Sequence, residues 1–338
     1  MKILMVMDPG ILVPPKGYGG IERIIDLLAR EYHQQGHEVH LLVTNGSIVP
    51  GCTVHGYGKE GFPPKKKDAL KAIPSAWWFL WKHRNHFDLI HNFGRLLYLL
   101  PLLNHKVKKL MSYQREITRA NIVKLLKFPH RNLYFTGCSQ DLVERAQVPG
   151  HWTAIHNGVD FNFYQLRENV AVDAPLIFLG RIEKVKGCHT AISIAKATNN
   201  KLIIAGNISP LADEKEYYKK EVEPLIDGVQ IKFIGPVNDE QKNEWLGRSK
   251  ALLMPIEWNE PFGIVMIEAM ACGTPVIAFN KGSVDEVIEE GVTGYKTVGA
   301  KDMIRMIDKL SVFNRKDCKD QAEKKFAIRI IAKKYLSI

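Results

Sequence analysis

The chain has 338 residues, 46% of them hydrophobic and 25% charged, with a formal net charge of +11. These values suit a folded protein long enough for two domains and exclude extensive disorder. The positive charge favours acidic partners, and without zinc-finger spacing or an aromatic RNA-binding signature no nucleic acid is expected among them. The five cysteines, Cys52, Cys138, Cys188, Cys272 and Cys318, are odd in number, scattered and free of any C-x-x-C pair. They read as reduced thiols of a cytoplasmic protein. The apolar run from Met1 meets Asp8 too early for a signal peptide, and Ala76–Trp81 and Leu96–Leu103 are too short to span a membrane.

In the first half, Lys2–Met7, Val39–Thr44, Asp88–Phe93, Lys108–Tyr113, Asn132–Gly137 and Trp152–His156 are short apolar segments that read as strands. Between the first two, Ile21, Ile24, Ile25, Leu28 and Tyr32 recur on one side of a helix ended by Gly36. Gly17, Tyr18, Gly19 and Gly20 precede it, either as a tight βα turn or as backbone able to approach a diphosphate. Gly56, Gly58 and Gly61 match G-x-G-x-x-G but run into Phe62, Pro63, Pro64 and three lysines instead of a helix. The match is rejected, and a dinucleotide-dependent oxidoreductase loses its main support. Basic clusters at Lys65–Lys67, Lys106–Lys109 and Arg115–Arg131 are interleaved with Trp77, Trp78, Phe79 and Trp81. They form either a solvated face or an acceptor-side surface for an anionic lipid or acidic glycan. His91, in DLIHNFG, is placed at a strand end, where a lone histidine is more often structural; Ser139, in TGCSQ, is a weaker acceptor-side or phosphate-side candidate. Asn157 and Gly158, in HNGVD, read as the turn between domains.

Polar residues from Asn162 to Pro175 read as a linker, after which the pattern repeats. Strands are expected at Leu176–Gly180, Leu202–Ala205, Ile231–Ile234, Ala251–Ile256 and Val276–Phe279. Helices are expected near Lys186–Ala197, Ala212–Ile226, Glu240–Gly247 and Gly263–Ala271, and a basic helix over Arg315–Ile338. The expected architecture is α/β, with two doubly wound Rossmann-like domains over residues 1–165 and 166–314. Ligands of such sheets bind beyond the carboxyl ends of the strands, so two facing domains would make a cleft with donor on one wall and acceptor on the other. Arg181 and Lys186, in GRIEKVKG, sit just past a strand and at the opening of a helix. They are either solvated cations of a basic chain or a pair that neutralises a leaving diphosphate. With no D-x-D and no metal-ligand spacing, neither metal nor cofactor is expected.

The most informative stretch is EWNEPFGIVMIEAMACGTP, from Glu257 to Pro275. Pro261, Phe262 and Gly263 form a loop tip, and Ile264–Ala271 an apolar helix stopped by Gly273 and Pro275. Its open N-terminus, with unpaired N–H groups and the positive dipole end, suits a phosphate or diphosphate. Glu260 precedes that end, and Glu268 interrupts an apolar face between Ile267 and Ala269, where an unpartnered carboxylate would be costly. Two acceptors flanking an anion site suit the hydroxyls of a ribose and a hexose, hence a nucleotide-sugar pocket.

Glu260 and Glu268, with seven residues between them and AMACGTPVIA following, resemble the E-x7-E signature of retaining glycosyltransferases of family 4, which have two facing Rossmann-like domains (the GT-B fold). GGIERIIDLLAREYHQQGHEV, HNGVD from His156 and GRIEKVKG from Gly180 agree, and the resemblance spans about residues 1–310. It implies transfer of a hexose from a nucleoside-diphosphate sugar, UDP-linked ahead of GDP-linked, to a hydroxyl acceptor that is a glycan, a lipid-linked sugar or a small molecule. It further implies that Glu268 holds the ribose, Glu260 and His91 the sugar, and Phe262 and the amides of Gly263, Ile264 and Val265 the sugar or diphosphate. Arg181 and Lys186 would take the diphosphate, with Gly19, Gly20 and Asn157 also at the donor. The implied mechanism is a same-face displacement; the missing D-x-D makes it metal-independent, and the basic and aromatic clusters would give this cytoplasmic enzyme peripheral contact with an anionic membrane. The terminal helix is implied to cross back to the first domain. A sugar phosphorylase of the same architecture and a non-catalytic nucleotide- or nucleic-acid-binding module are the alternatives.

Overall fold

The computed structural model describes residues 1–17, 19–61 and 66–338. The chain divides into two compact units, Met1–Asn157 with Ile328–Ile338, and Gly158–Ala327. The first is built on β1 (Lys2–Val6), β2 (Glu38–Thr44), β3 (Thr53–Tyr57), β4 (Leu89–Asn92), β5 (Lys108–Tyr113), β6 (Leu133–Gly137) and β7 (Trp152–Ala154). They form one parallel sheet in the order β3-β2-β1-β4-β5-β6-β7. The inner strands are continuous buried runs, as expected where helices cover both faces. The helix Gly20–Gln34 buries Ile24, Ile25, Leu28 and Tyr32. Lys66–Lys82 is also helical, despite Pro74, and leaves Trp78 and Trp81 62% and 53% exposed. Lys82 Nζ lies 4.7 Å from the Trp78 ring and the Arg84 guanidinium 4.2 Å from the Trp81 ring.

The second unit holds β8 (Leu176–Leu179), β9 (Leu202–Ala205), β10 (Ile231–Gly235), β11 (Leu252–Met254), β12 (Val276–Phe279) and β13 (Gly294–Thr297). Its parallel sheet runs β10-β9-β8-β11-β12-β13. Both units are therefore doubly wound, with strand order reversing between β1 and β4 in the first and between β8 and β11 in the second.

The chain divides after Asn157, not at 165, and the polar stretch after it is no free linker. Val159 bridges Ala327, the Gln165 amide donates to Asn243 Oδ1 at 3.1 Å, and the Arg167 amide to the Cys272 carbonyl at 3.3 Å. The terminal helix is also two. Arg315–Phe326 stays with the second unit, where the buried Arg315 guanidinium donates to the carbonyls of Arg167, Gly247 and Ser249 and to Thr274 Oγ1. Only the helix Ile328–Leu336 joins the first unit. Among the described residues no helix is long and apolar enough to cross a membrane.

Candidate functional site

Neighbouring strands β8 and β11 bring the second unit's motifs together, because the loops leaving their carboxyl ends lie side by side. After β8 the chain passes Arg181, a 3-10 turn over Lys184–Lys186, and Gly187, which opens the helix Cys188–Ala197. Gly187 is left-handed (φ 75°), and a Cβ there would lie 2.0 Å from the Pro255 carbonyl oxygen at the start of the β11 loop. The Glu257 amide donates to the Val185 carbonyl at 2.8 Å, tying the two loops further.

Lys186 and Glu260 meet at this junction, Nζ to Oε2 at 2.5 Å. Trp258 Nε1–H donates to the same oxygen at 2.9 Å, and its ring lies 4.7 Å from the ammonium. The backbone of Glu260 is held by Gly282, where a Cβ would come within 2.4 Å of the Glu260 carbonyl oxygen, and by the Ser283 amide at 3.0 Å. Arg181 pairs with Glu183 at 2.9 Å. Gly263, left-handed at φ 72°, precedes the helix Ile264–Ala271 and supplies no side-chain cap, so the first turn keeps donors, those of Ile264 and Val265 among them, for an outside acceptor. Phe262 does not line this end with its ring, which is buried against Phe326.

Glu268 has partners that its sequence context does not reveal. Only 5% exposed, it accepts from Tyr164 Oη–H at 3.0 Å and forms an ion pair with Lys242, both through Oε1. Lys242 stands on the helix Asp239–Arg248 and also pairs with Asp239 at 3.0 Å. Each carboxylate of the motif thus faces a lysine from another element. The site offers a helix N-terminus and cations for an anion, with carboxylates beside them for hydroxyls.

The first unit treats its candidates differently. His91 is not at the rim. It is fully buried inside β4, with Nε2 at 2.7 Å from Ser112 Oγ, Nδ1 at 3.3 Å from Tyr32 Oη, and its ring against Phe93 and Tyr335. Burial pushes its pKa from 6.5 down to about 3, so the ring is neutral with both nitrogens occupied, and the expected sugar contact is corrected to a core role. Ser139 is likewise a helix cap, its Oγ accepting from the Leu142 amide at 3.1 Å. Gly19 caps the helix that begins at Gly20, and a Cβ on it would lie 2.7 Å from Pro15 Cβ; Tyr18 of that loop lies outside the described residues, as do Phe62–Lys65. Glu22, in the first turn, is buried, and that burial raises its pKa. Asn157 is buried, with an unpartnered Oδ1.

Glu38, His40 and His86 bring ligand atoms within 4.8 Å of one another. They lie at the amino ends of β2 and β4, away from the carboxyl edge, and 48-residue separation hides them from motif spacing.

Residues 168–325 match the model of the glycosyl transferases group 1 family, and residues 18–163 that of glycosyltransferase family 4. The chain belongs to the family 4 type of glycosyltransferases. A phosphatidyl-myo-inositol mannosyltransferase of Propionibacterium freudenreichii is 45% identical over 67 residues, 19% of this chain and 18% of that protein. A lipopolysaccharide 1,2-N-acetylglucosaminetransferase of Salmonella typhimurium is 30% identical over 136 residues, 38% and 36% of the two chains. The chain thus spans less than half the length of these curated relatives. AviGT4, a glycosyltransferase involved in avilamycin A biosynthesis, superposes with a TM-score of 0.73 at 23% identity, covering 99% of this chain and 96% of its own. Anabaena HepE in complex with UDP and glucose gives 0.76 at 18% identity, covering 100% and 98%. At these identities the likeness establishes the GT-B fold.

Proposed function

We propose that the protein is a retaining glycosyltransferase that moves a hexose from a nucleoside-diphosphate sugar to a hydroxyl acceptor. The observation that carries this reading is the Lys186–Glu260 pair beside the uncapped N-terminus of Ile264–Ala271, at the β8/β11 switch point. The diphosphate lies on the amides of Ile264 and Val265, with Lys186 and Arg181 taking the charge that grows on it as the glycosidic bond breaks. Glu260 accepts from sugar hydroxyls, its carboxylate aimed by Lys186 and Trp258. Glu268, with Oε1 held by Tyr164 and Lys242, accepts from the ribose. UDP is favoured as the nucleotide because the Anabaena relative was solved with UDP and glucose.

In this reading the hydroxyl of the acceptor attacks the face that the diphosphate leaves, and a diphosphate oxygen takes its proton. Charge neutralisation by Arg181, Lys186 and the helix end makes a metal unnecessary. The Trp78 and Trp81 surface, with Lys82 and Arg84 beside it, provides peripheral contact with anionic membrane from the cytoplasmic side. The test is release of nucleotide from UDP-, GDP- and ADP-hexoses by the purified protein in excess EDTA. One donor should be consumed, with turnover abolished in Glu260→Ala and Arg181→Ala while the fold is intact. Full activity in both variants would overturn the site, and strict dependence on inorganic phosphate would make the protein a phosphorylase.

A further inference from the structure

The first unit contains a groove of about 580 Å³ that the donor reading does not use. This volume falls within the roughly 300–1,000 Å³ of small-molecule sites. Its walls include Phe93–Leu97, just beyond the end of β4, and Gln114–Glu116, just beyond the end of β5. That is the carboxyl edge at which open parallel sheets bind ligands. Leu96, Leu97, Leu100, Met111 and Leu125 make much of the surface hydrocarbon, and Phe128, 60% exposed, extends it outward.

The charged part of the lining is mainly cationic. Arg95, Arg115 and Lys124 contribute to it, whereas Glu116, the one carboxylate among the described lining residues, already accepts from Arg145 through both oxygens at 3.0 and 3.2 Å. Asp8 is shared by Arg95 at 3.5 Å and Arg115 at 3.1 Å, and the buried Glu22 also interacts with Arg115, so the surplus positive charge rests on Lys124, which has no carboxylate partner among the described residues. Ser112, Gln114, Thr118 and Asn121 of the lining can meet the hydroxyls of a head group, whereas the leucine wall cannot, and burying hydroxyls against it without partners is costly. That wall suits a hydrocarbon chain, and the cations suit an anionic head.

We infer that this groove holds the chain of an amphiphilic acceptor, with a phosphate-bearing head against Arg95, Arg115 and Lys124. The word acceptor rests on the glycosyltransferase reading; the binding does not. The full-length protein is titrated calorimetrically with decyl phosphate, butyl phosphate and inorganic phosphate, all below micelle-forming concentrations. Affinity should rise about three- to fourfold for each methylene that enters the groove, with inorganic phosphate weakest. Leu97→Gln with Leu100→Gln should weaken decyl phosphate at least tenfold and leave butyl phosphate within twofold. Arg115→Gln with Lys124→Gln should weaken both alkyl phosphates. Affinity independent of chain length, or decyl phosphate binding that ignores the leucine changes, would overturn the inference. Circular dichroism and urea unfolding of each variant serve as the fold control, and thermal shift with UDP checks that the other unit is unaffected. If no sugar nucleotide binds even the parent protein, the glycosyltransferase reading fails, and the chain-length series still decides the groove.

Discussion

His91 provides a quantitative check on the first unit's core. Its unfolded pKa of 6.5 drops to about 3 on burial among Tyr32, Ser112, Phe93 and Tyr335. Between these values the unfolded chain binds a proton that the native ring refuses, so stability is fully present above pH 6.5, falls as pH falls, and levels off below pH 3. From pH 7 to pH 5 the loss at this site is about 2 kcal/mol, from the protonation of an unfolded histidine 1.5 pH units below its pKa. The comparison is urea unfolding at the two pH values for the parent and for His91→Gln. Titrations elsewhere largely cancel in the difference. The variant should lose about 1–3 kcal/mol at pH 7, because the Ser112 and Tyr32 hydroxyls lose their partner. Its further loss on going to pH 5 should be about 2 kcal/mol smaller than the parent's. Equal losses in both proteins would refute a buried neutral histidine.

The second unit gives three more tests. Lys186→Met should leave the fold intact by circular dichroism and lower kcat at saturating donor by roughly 10²–10³-fold, as for removal of one charge-stabilising group. Lys242→Met leaves the buried Glu268 carboxylate without its cation and should cost about 3–5 kcal/mol in urea unfolding; adding Glu268→Leu should recover most of that. Gly187→Ala puts a side chain into a left-handed position and against the Pro255 carbonyl, so a loss well above about 1 kcal/mol is expected, read from the urea midpoint.

Fold and donor motifs were legible because both depend on local order. Inner strands such as Lys2–Val6 and Leu202–Ala205 are continuous apolar runs, and the loops of Arg181, Lys186 and Glu260 follow directly after strands. Two of the four edge strands were not legible: Thr53–Tyr57 and Gly294–Thr297 carry glycine and polar residues, whereas the edge strands Trp152–Ala154 and Ile231–Gly235 fall within segments apolar enough to read as strands. His91 was misplaced because the strand-end position along the chain does not tell which helix covers it; Tyr32 and Tyr335 lie 59 and 244 residues away. Tyr164 and Lys242 were missed as partners of Glu268 for the same reason, although the cost of a bare carboxylate between Ile267 and Ala269 pointed to their existence. Trp258 was within reach, two residues before Glu260, but an aromatic in a loop carries no spacing signal.

Where the sugar nucleotide sits is read most directly by hydrogen–deuterium exchange of the whole protein with and without the donor it turns over. Donor binding at this site predicts slowed exchange in peptides covering residues 181–187 and 257–268, and none of that slowing in Glu260→Ala with Lys186→Met. Unchanged exchange in both segments at saturating donor would contradict it.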